Sequence, residues 1–193
     1  MAVSNDKNKV SFGLSQVHIG TFTVGDEGAV VLGTPYHVPG AVKLSFKPEG
    51  DSNTFYADNS AYYSKFSDNG FSGDLEMARF PDEFKVQFLG SVKLDDGGVA
   101  QVKGAKNPNV YIAFQTEGDI QSRRGILYNV ALGGIEEEKS TTEDKMEVTT
   151  EKIGITVVGD NITGITKATY NVGDAGYETL FSAPPVPTLP SSH

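Results

Sequence analysis

Residues 71–90, FSGDLEMARFPDEFKVQFLG, change period halfway along, and that change decides the fold class. In the first half Phe71, Gly73, Leu75 and Met77 alternate with Ser72, Asp74, Glu76 and Ala78, the two-residue repeat of a half-buried strand. In the second half Phe80, Phe84 and Phe88 recur every four residues and Leu89 widens the stripe, which predicts a short helix with one apolar face. Pro81 at the first helical position, Asp82 and Glu83 in the first turn and Gly90 beyond the end bound this helix at about 80–89. The aromatic stripe reads as core packing against a sheet, not as a ligand box.

Moving outward, Val42, Leu44 and Phe46 alternate with Lys43, Ser45 and Lys47, again as in a strand. Residues 10–14, 17–24, 110–116, 124–132, 147–158 and 162–170 are further strand candidates, the later ones rich in Val, Ile, Thr and Tyr. Gly159-Asp160-Asn161 separates the last two and predicts a C-terminal hairpin, and Asp68-Asn69-Gly70 is a second turn signal. One helix among this many strands predicts a mainly β fold, a β-sandwich or open barrel with a flanking helix and long loop arms. Three stretches suit a core poorly. Residues 48–60, PEGDSNTFYADNS, form a long polar connection holding Phe55 and Tyr56. Residues 136–151 hold seven acids and two lysines, and read either as an assembly element or as a solvated loop leading into a strand. Residues 182–193 carry four of the nine prolines and read as an extended tail beyond a domain spanning 1–181.

Composition narrows the function. The 193 residues include eleven Phe and eight Tyr, enough for a sizeable core, but no Cys and no Trp. Disulfides, thiolate zinc sites and thiol nucleophiles are therefore excluded. A net charge of −9 lacks the basic surplus that a phosphate-reading nucleic-acid binder needs. The polar start, Met1-Ala2-Val3-Ser4-Asn5-Asp6-Lys7, has no signal-peptide h-region, and no apolar run is long enough to span a bilayer, so a protein made in the cytoplasm, without a membrane partner, is expected. His18, His37 and His193 show no metal-ligand spacing, and no G-x-S-x-G elbow or glycine-rich phosphate loop occurs. Asp95-Asp96-Gly97-Gly98 reads as a turn, because the rest of an EF-hand is missing. The expectation is a protein without catalytic residues, cofactor or metal. Long arms and exposed strand edges, liabilities for a monomer, become assembly elements in a ring or filament.

Several segments carry a family resemblance: KVSFGLSQVHIGTF near the start, PGAVKLSFKPEGDSNTFYADNSAYY, NGFSGDLEMARFPDEFKVQFLG, GDIQSRRGILYNVALGG and TTEDKMEVTTEKIGITV. Together they cover nearly all of the chain before the Pro-rich tail, and the specific part is PEGD…FYADN followed by GDLE…PDEF…LG. The chain resembles siphophage major tail proteins, the tail-tube subunits of long-tailed phages, particularly those of Gram-positive hosts. The resemblance implies a β-sandwich with a flanking helix and six subunits to a ring. It implies rings stacked into a tube whose inner sheets join into a β-barrel around a channel for double-stranded DNA, which passes without sequence-specific binding. It further implies a place in the virion after assembly in the host cytoplasm, with tape measure, tail terminator and distal-tail or baseplate proteins as partners. The family's inter-ring loop maps by order onto residues 48–59, which makes Glu49, Asp51, Phe55, Tyr56 and Asp58 the contact candidates. Asp74 and Glu76, on the non-core face of their strand, are the lumen candidates, since acids repel DNA phosphate. The family often adds a C-terminal immunoglobulin-like domain, which has no counterpart after the Pro-rich stretch. The alternative reading is a carbohydrate-binding or adhesion β-sandwich of a phage tail, with Tyr62, Tyr63 or Tyr111 as stacking residues.

Overall fold

The spine of the protein is a fifteen-residue strand, Arg123–Glu137, that joins the two halves of one sheet. The computed structural model describes residues 6–25, 28–57, 60–138 and 149–190, and of residues 52–57, 61 and 64–66 the backbone. In chain order these form β1 (Ser11–Val24), β2 (Val30–Leu32), β3 (Tyr36–His37), β4 (Ala41–Pro48), β5 (Ser52–Ala57), β6 (Ser60–Phe66), β7 (Phe71–Met77), α1 (Asp82–Phe88), β8 (Val92–Lys93), β9 (Val99–Ala100), β10 (Val110–Gly118), β11 (Arg123–Glu137), β12 (Glu151–Val157), β13 (Lys167–Asn171) and α2 (Ala175–Thr179). The main sheet runs β2-β1-β10-β11-β12-β7-β4, with β13 also on β11 and β3 also on β1, and every pairing is antiparallel. The mainly β architecture expected from the alternation is the one observed.

Two apolar clusters show how the sheet is used. Val110, Ile112 and Phe114 of β10 face one way, with Val17 and Ile19 of β1 and Leu75 and Met77 of β7. Leu44 and Phe46 of β4 pack on the same cluster, and the Phe46 and Phe114 rings lie 6.4 Å apart, so the sheet turns over and encloses this core between its halves. Tyr111 and Ala113 face the other way with Phe22, Ile126, Tyr128 and Leu180, forming a second cluster outside the first half-sheet. Phe181 and Tyr170 pack on it, and the Tyr128 hydroxyl donates to the Pro185 carbonyl at 2.9 Å, so the chain after β13 covers this face. Tyr111 fits because Gly20 lies beneath its ring: a Cβ there would fall 2.3 Å from the tyrosine oxygen, which donates to the Gly33 carbonyl.

Asn129 makes the change of sheet. Up to Tyr128 the strand alternates, with Ile126 and Tyr128 outward and Leu127 inward. Strict alternation would then send Val130 and Leu132 outward, yet both lie in the enclosed core. Asn129, at φ +52, is an extra residue where the ladder with β10 slips between Val110 and Ile112, and it resets the parity. Before it, β11 pairs with β13, and after it, on the same edge, with β12. Its side chain accepts from Asn109 Nδ2 at 2.7 Å and donates to the Gly159 carbonyl at 2.7 Å, and its carbonyl accepts from Val158 N–H.

The C-terminal hairpin predicted from Gly159-Asp160-Asn161 is corrected by this arrangement: β12 and β13 do not pair with each other but lie end to end along β11. Buried Asp160 turns the chain aside, its Oδ2 accepting from both N–H and Oγ of Thr163. Burial alone would raise the carboxyl pKa, but the hydrogen bonds from Thr163 and Ile162 outweigh it and hold the group below the usual carboxylate range. The reading of Val42 is corrected too. The ladder of β4 with β7 slips between Ala41 and Lys43, which expels Val42 to the surface and leaves Ala41, Leu44 and Phe46 on the core.

The predicted helix is α1, with Phe80, Phe84 and Phe88 fully buried, Phe80 stacked on Phe84 at 4.9 Å and Phe88 tilted against Phe84 at 5.3 Å. Seven residues are too few to hold a helix in water, so its order derives from this burial, about 1.5–3 kcal/mol per phenylalanine. Gly90 ends it at φ +63, and Glu151 ties its entry to β12 by accepting from Phe80 N–H at 2.7 Å. The short α2 had no expectation in the sequence.

Replacing Asn129 tests the sheet switch. Asn129→Gly keeps the left-handed backbone but orphans its two partners, at a cost of about 1–3 kcal/mol. Asn129→Ala adds roughly 1 kcal/mol of backbone strain. Chemical denaturation is expected to rank the unsubstituted chain above Gly and Gly above Ala, and equal stability of all three would show that the switch lies elsewhere.

Candidate assembly surfaces

The first surface is an arm. Among the described residues β5 and β6 pair only with each other, and they continue the β4–β7 ladder: Pro48 is opposite Phe71, Ser52 opposite Phe66 and Ala57 opposite Ser60. At the junction Glu49 N–H donates to the Gly70 carbonyl, Asn69 N–H to the Glu49 carbonyl and Ser67 N–H to the Asp51 carbonyl. Residues 41–57 and 60–77 are thus the two limbs of one long ribbon whose near half belongs to the sheet and whose far half leaves it. The predicted loop at 48–60 is corrected to one limb of this ribbon. A bare hairpin is marginal in water, so such an arm gains most from a partner surface.

The sequence candidates fall at different places on the arm. Glu49 and Asp51 lie at its base, where Glu49 accepts from the Ser72 hydroxyl and pairs with Lys47 at 3.7 Å, and Asp51 N–H meets Ser67 Oγ. Phe55 and Tyr56 are in β5, opposite Tyr63 and Ala61. Asp58 lies outside the described residues. The aromatics seen projecting are Tyr62 and Tyr63 of β6, 75% and 59% exposed. The ladder slips at this point, so Tyr62 has no partner and the ribbon has no second layer to cover it. The slip has no signature in SAYYSKF. Tyr111, the third stacking candidate, is fully buried.

The second surface is the outer face of β4, β7, β12 and the far half of β11. Its cross-strand rows read Lys43–Glu76–Lys152–Glu136, Ser45–Asp74–Gly154 and Lys47–Ser72–Thr156–Ala131. Lys152 Nζ lies 3.3 Å from Asp74 and 4.0 Å from Glu136, and Glu76 accepts from Thr150 at 2.5 Å. Asp74 and Glu76 thus share one face, as expected, but three lysines balance its three acids. Glu136 and Glu137, the start of the acidic run, close β11, and Glu151 opens β12; residues 139–148 are outside the described ones.

Chemistry concentrates nowhere on these surfaces. Among the described residues no three His, Asp or Glu side chains form a group that could hold a metal ion, and no helix is long and apolar enough to cross a membrane. His18 and His37 meet at 4.8 Å, and His18 stacks on Phe181 at 4.5 Å, beside Arg124, whose guanidinium lies over the Tyr177 and Phe181 rings. Arg124 also donates to the Tyr177 carbonyl and to Gln115 Oε1. This cluster clasps the segment after β13 to the sheet. Burial lowers the His18 pKa, the hydrogen bond to the Gln16 carbonyl opposes that, and His37 and Arg124 add to the lowering.

No protein-family model matches the sequence. No curated protein matches it either. Among solved structures, it is similar to a chain of the sheath–tube complex of PVC, an extracellular contractile injection system, in its extended state, at 10% identity and a TM-score of 0.46, covering 81% of this chain and 89% of the other. It is also similar to the tube-terminating cap of the anti-feeding prophage, at 10% identity and a TM-score of 0.47, covering 89% of this chain and all of the other. Likenesses of that strength do not carry function, which rests on the surfaces themselves.

The His18 cluster has a pH signature. A histidine with a depressed folded pKa contributes stability above its unfolded pKa of about 6.5 and loses it as pH falls through the folded value. His18→Phe keeps the stack on Phe181 and removes the titration. Between about pH 7.5 and about pH 5.5, its melting temperature is expected to fall less than that of the unsubstituted chain. Parallel curves would show that His18 does not titrate with folding.

Proposed function

We propose that the chain is a structural subunit that polymerises with copies of itself into a tube, as siphophage major tail proteins do. The observation that carries this reading is the arm: a ribbon that continues a core sheet beyond the body and presents Tyr62 and Tyr63 to solvent. Aromatic side chains supply much of the binding energy at interfaces, and a two-stranded extension needs a surface to rest on. In the reading implied by the resemblance, six subunits form a ring and the arm engages the adjacent ring, with Phe55 and Tyr56 on the same ribbon. The partners at the tube's ends would be tape measure, terminator and distal-tail proteins.

The outer face of β4, β7, β12 and β11 is the proposed lumen wall. It carries Lys, Asp, Glu, Ser, Thr and Gly, so it gains nothing from burial against protein and is suited to a water-filled channel. Its charges are balanced. DNA passing over it meets each lysine beside a carboxylate, which limits the counterion-releasing contacts that make non-specific binding tight. Lys43 and Lys47, on another strand candidate, already stood against uniform acidity in the sequence, and a uniformly acidic wall is not part of the proposal.

The exposed tyrosines also favour the second reading, a glycan-binding tail module. Replacing residues 52–66 by a short Gly-Ser link separates the two, because Asp51 and Ser67 already meet at the base of the arm. The unsubstituted chain is expected to give rings or tubes with a central hole in negative-stain images, and the armless chain a folded species that forms no tubes. Normal tubes without the arm would remove it from the mechanism. A strictly monomeric chain whose glycan binding is lost with Tyr62 and Tyr63 would establish the second reading instead.

A further inference from the structure

One cross-strand row on the outer face of the first half-sheet reads His37–His18–Ala113–Ile126–Ala168, and the chain after β13 lies across it. From α2 onward this segment touches the sheet at successive points. The Arg124 guanidinium lies over Tyr177, Phe181 stacks on His18 at 4.5 Å, and the Pro185 carbonyl accepts from the Tyr128 hydroxyl. Beneath it are Phe22, Tyr111, Ala113, Ile126 and Tyr128.

His18 is the contact in this line that titrates near neutral pH. The charged and titratable groups acting on it are both bases: His37 of β3, whose ring centre is 4.8 Å away, and Arg124 of β11, which lies 4.5 Å from the same Phe181 ring. Beside it β10 places Ala113, and Glu117 of β10 accepts from Gln115 Nε2 at 2.9 Å. The carboxylates that the segment itself brings are Asp174, which accepts from Asn171 N–H, and the exposed Glu178 of α2. Among the described residues neither histidine has a carboxylate partner.

We propose that residues 175–186 are a strap loosened by protonation of His18, because an imidazolium at that position faces Arg124 and His37 with no carboxylate to balance it. A neutral imidazole stacks on Phe181 without conflict, whereas a protonated one is half-buried beside a guanidinium. A phenylalanine face attracts a cation, but this ring already holds Arg124. Lifting the strap returns the His18 ring to water and removes the conflict. The sign agrees: burial, then His37 and Arg124, lowers the pKa of the closed form, so proton uptake favours the open one and opening grows as pH falls. One group with an ordinary pKa of about 6.5 multiplies opening by at most about tenfold at about pH 5.5. That is enough to make the strap breathe more often while the enclosed core, which it does not touch, stays folded. Each opening uncovers the apolar face that is closed at neutral pH.

Hydrogen exchange of the full chain, followed by mass spectrometry, separates such local opening from unfolding. With rates corrected for the intrinsic effect of pH, opening of residues 175–183 is expected to rise severalfold, up to about tenfold, from about pH 7.5 to about pH 5.5. Protection of β7 and β12 is expected to change less. His18→Phe keeps the stack and removes the proton, and should abolish the rise in the strap; His18→Gln serves the same purpose if the phenylalanine variant does not fold. Strap opening that ignores pH, a rise shared equally by β12, or the same rise in a His18 variant would overturn the proposal.

Discussion

The fold turns on one hydrogen-bonded asparagine. Asn129 occupies a left-handed backbone conformation in the middle of the longest strand, and its side chain holds Asn109 on one side and Gly159 on the other. The extra residue there resets which side chains face inward, so the strand turns Leu127 to the enclosed core before it and Val130 and Leu132 to the same core after it. It also divides the strand's edge between β13 and β12, whose chain is led aside by the buried Asp160 turn. Everything that distinguishes the two half-sheets follows from that division.

The half-sheets treat their outer faces differently, and side-chain chemistry explains why. Around β10 and the first half of β11 the outward residues are Tyr111, Ala113, Ile126 and Tyr128, which need cover. The chain after β13 supplies it, fastened by Arg124 and by the tyrosine hydroxyls; burial pushes the Tyr111 and Tyr128 pKa values up, so both stay neutral donors to backbone carbonyls. Around the second half of β11 the outward residues are lysines, carboxylates, Ser, Thr, Gly and Ala131, and among the described residues no element covers them. That half also carries the arm.

Local features were legible because they are written within a few residues. The four-residue repeat of Phe80, Phe84 and Phe88 marked α1, Gly90 its end, and the alternation from Phe71 to Met77 marked a half-buried strand. Errors arose where pairing depends on residues far away. Gly159-Asp160-Asn161 looks like a hairpin turn, but β11 offers a long edge on which β12 and β13 can both lie, and nothing near residue 160 records that. Val42 continues the alternation of its strand, yet a slip against β7 expels it. The arm's base residues, Glu49 and Asp51, came from the order of segments along the chain, whereas the exposure of Tyr62 and Tyr63 required seeing a ribbon with no second layer.

By itself the sequence determined a mainly β chain with a net charge of −9, no thiol chemistry and one aromatic-faced helix, because periodicity and composition act over short distances. Only the tertiary structure decided which strands lie side by side and what their faces carry. Lys43, Glu76, Lys152 and Glu136 are scattered along the sequence and form a row only when β4, β7, β12 and β11 lie side by side. A cross-strand row is a property of register, and register here is set by slips in the ladder and by the turn of chain around Asn129, which no local pattern encodes.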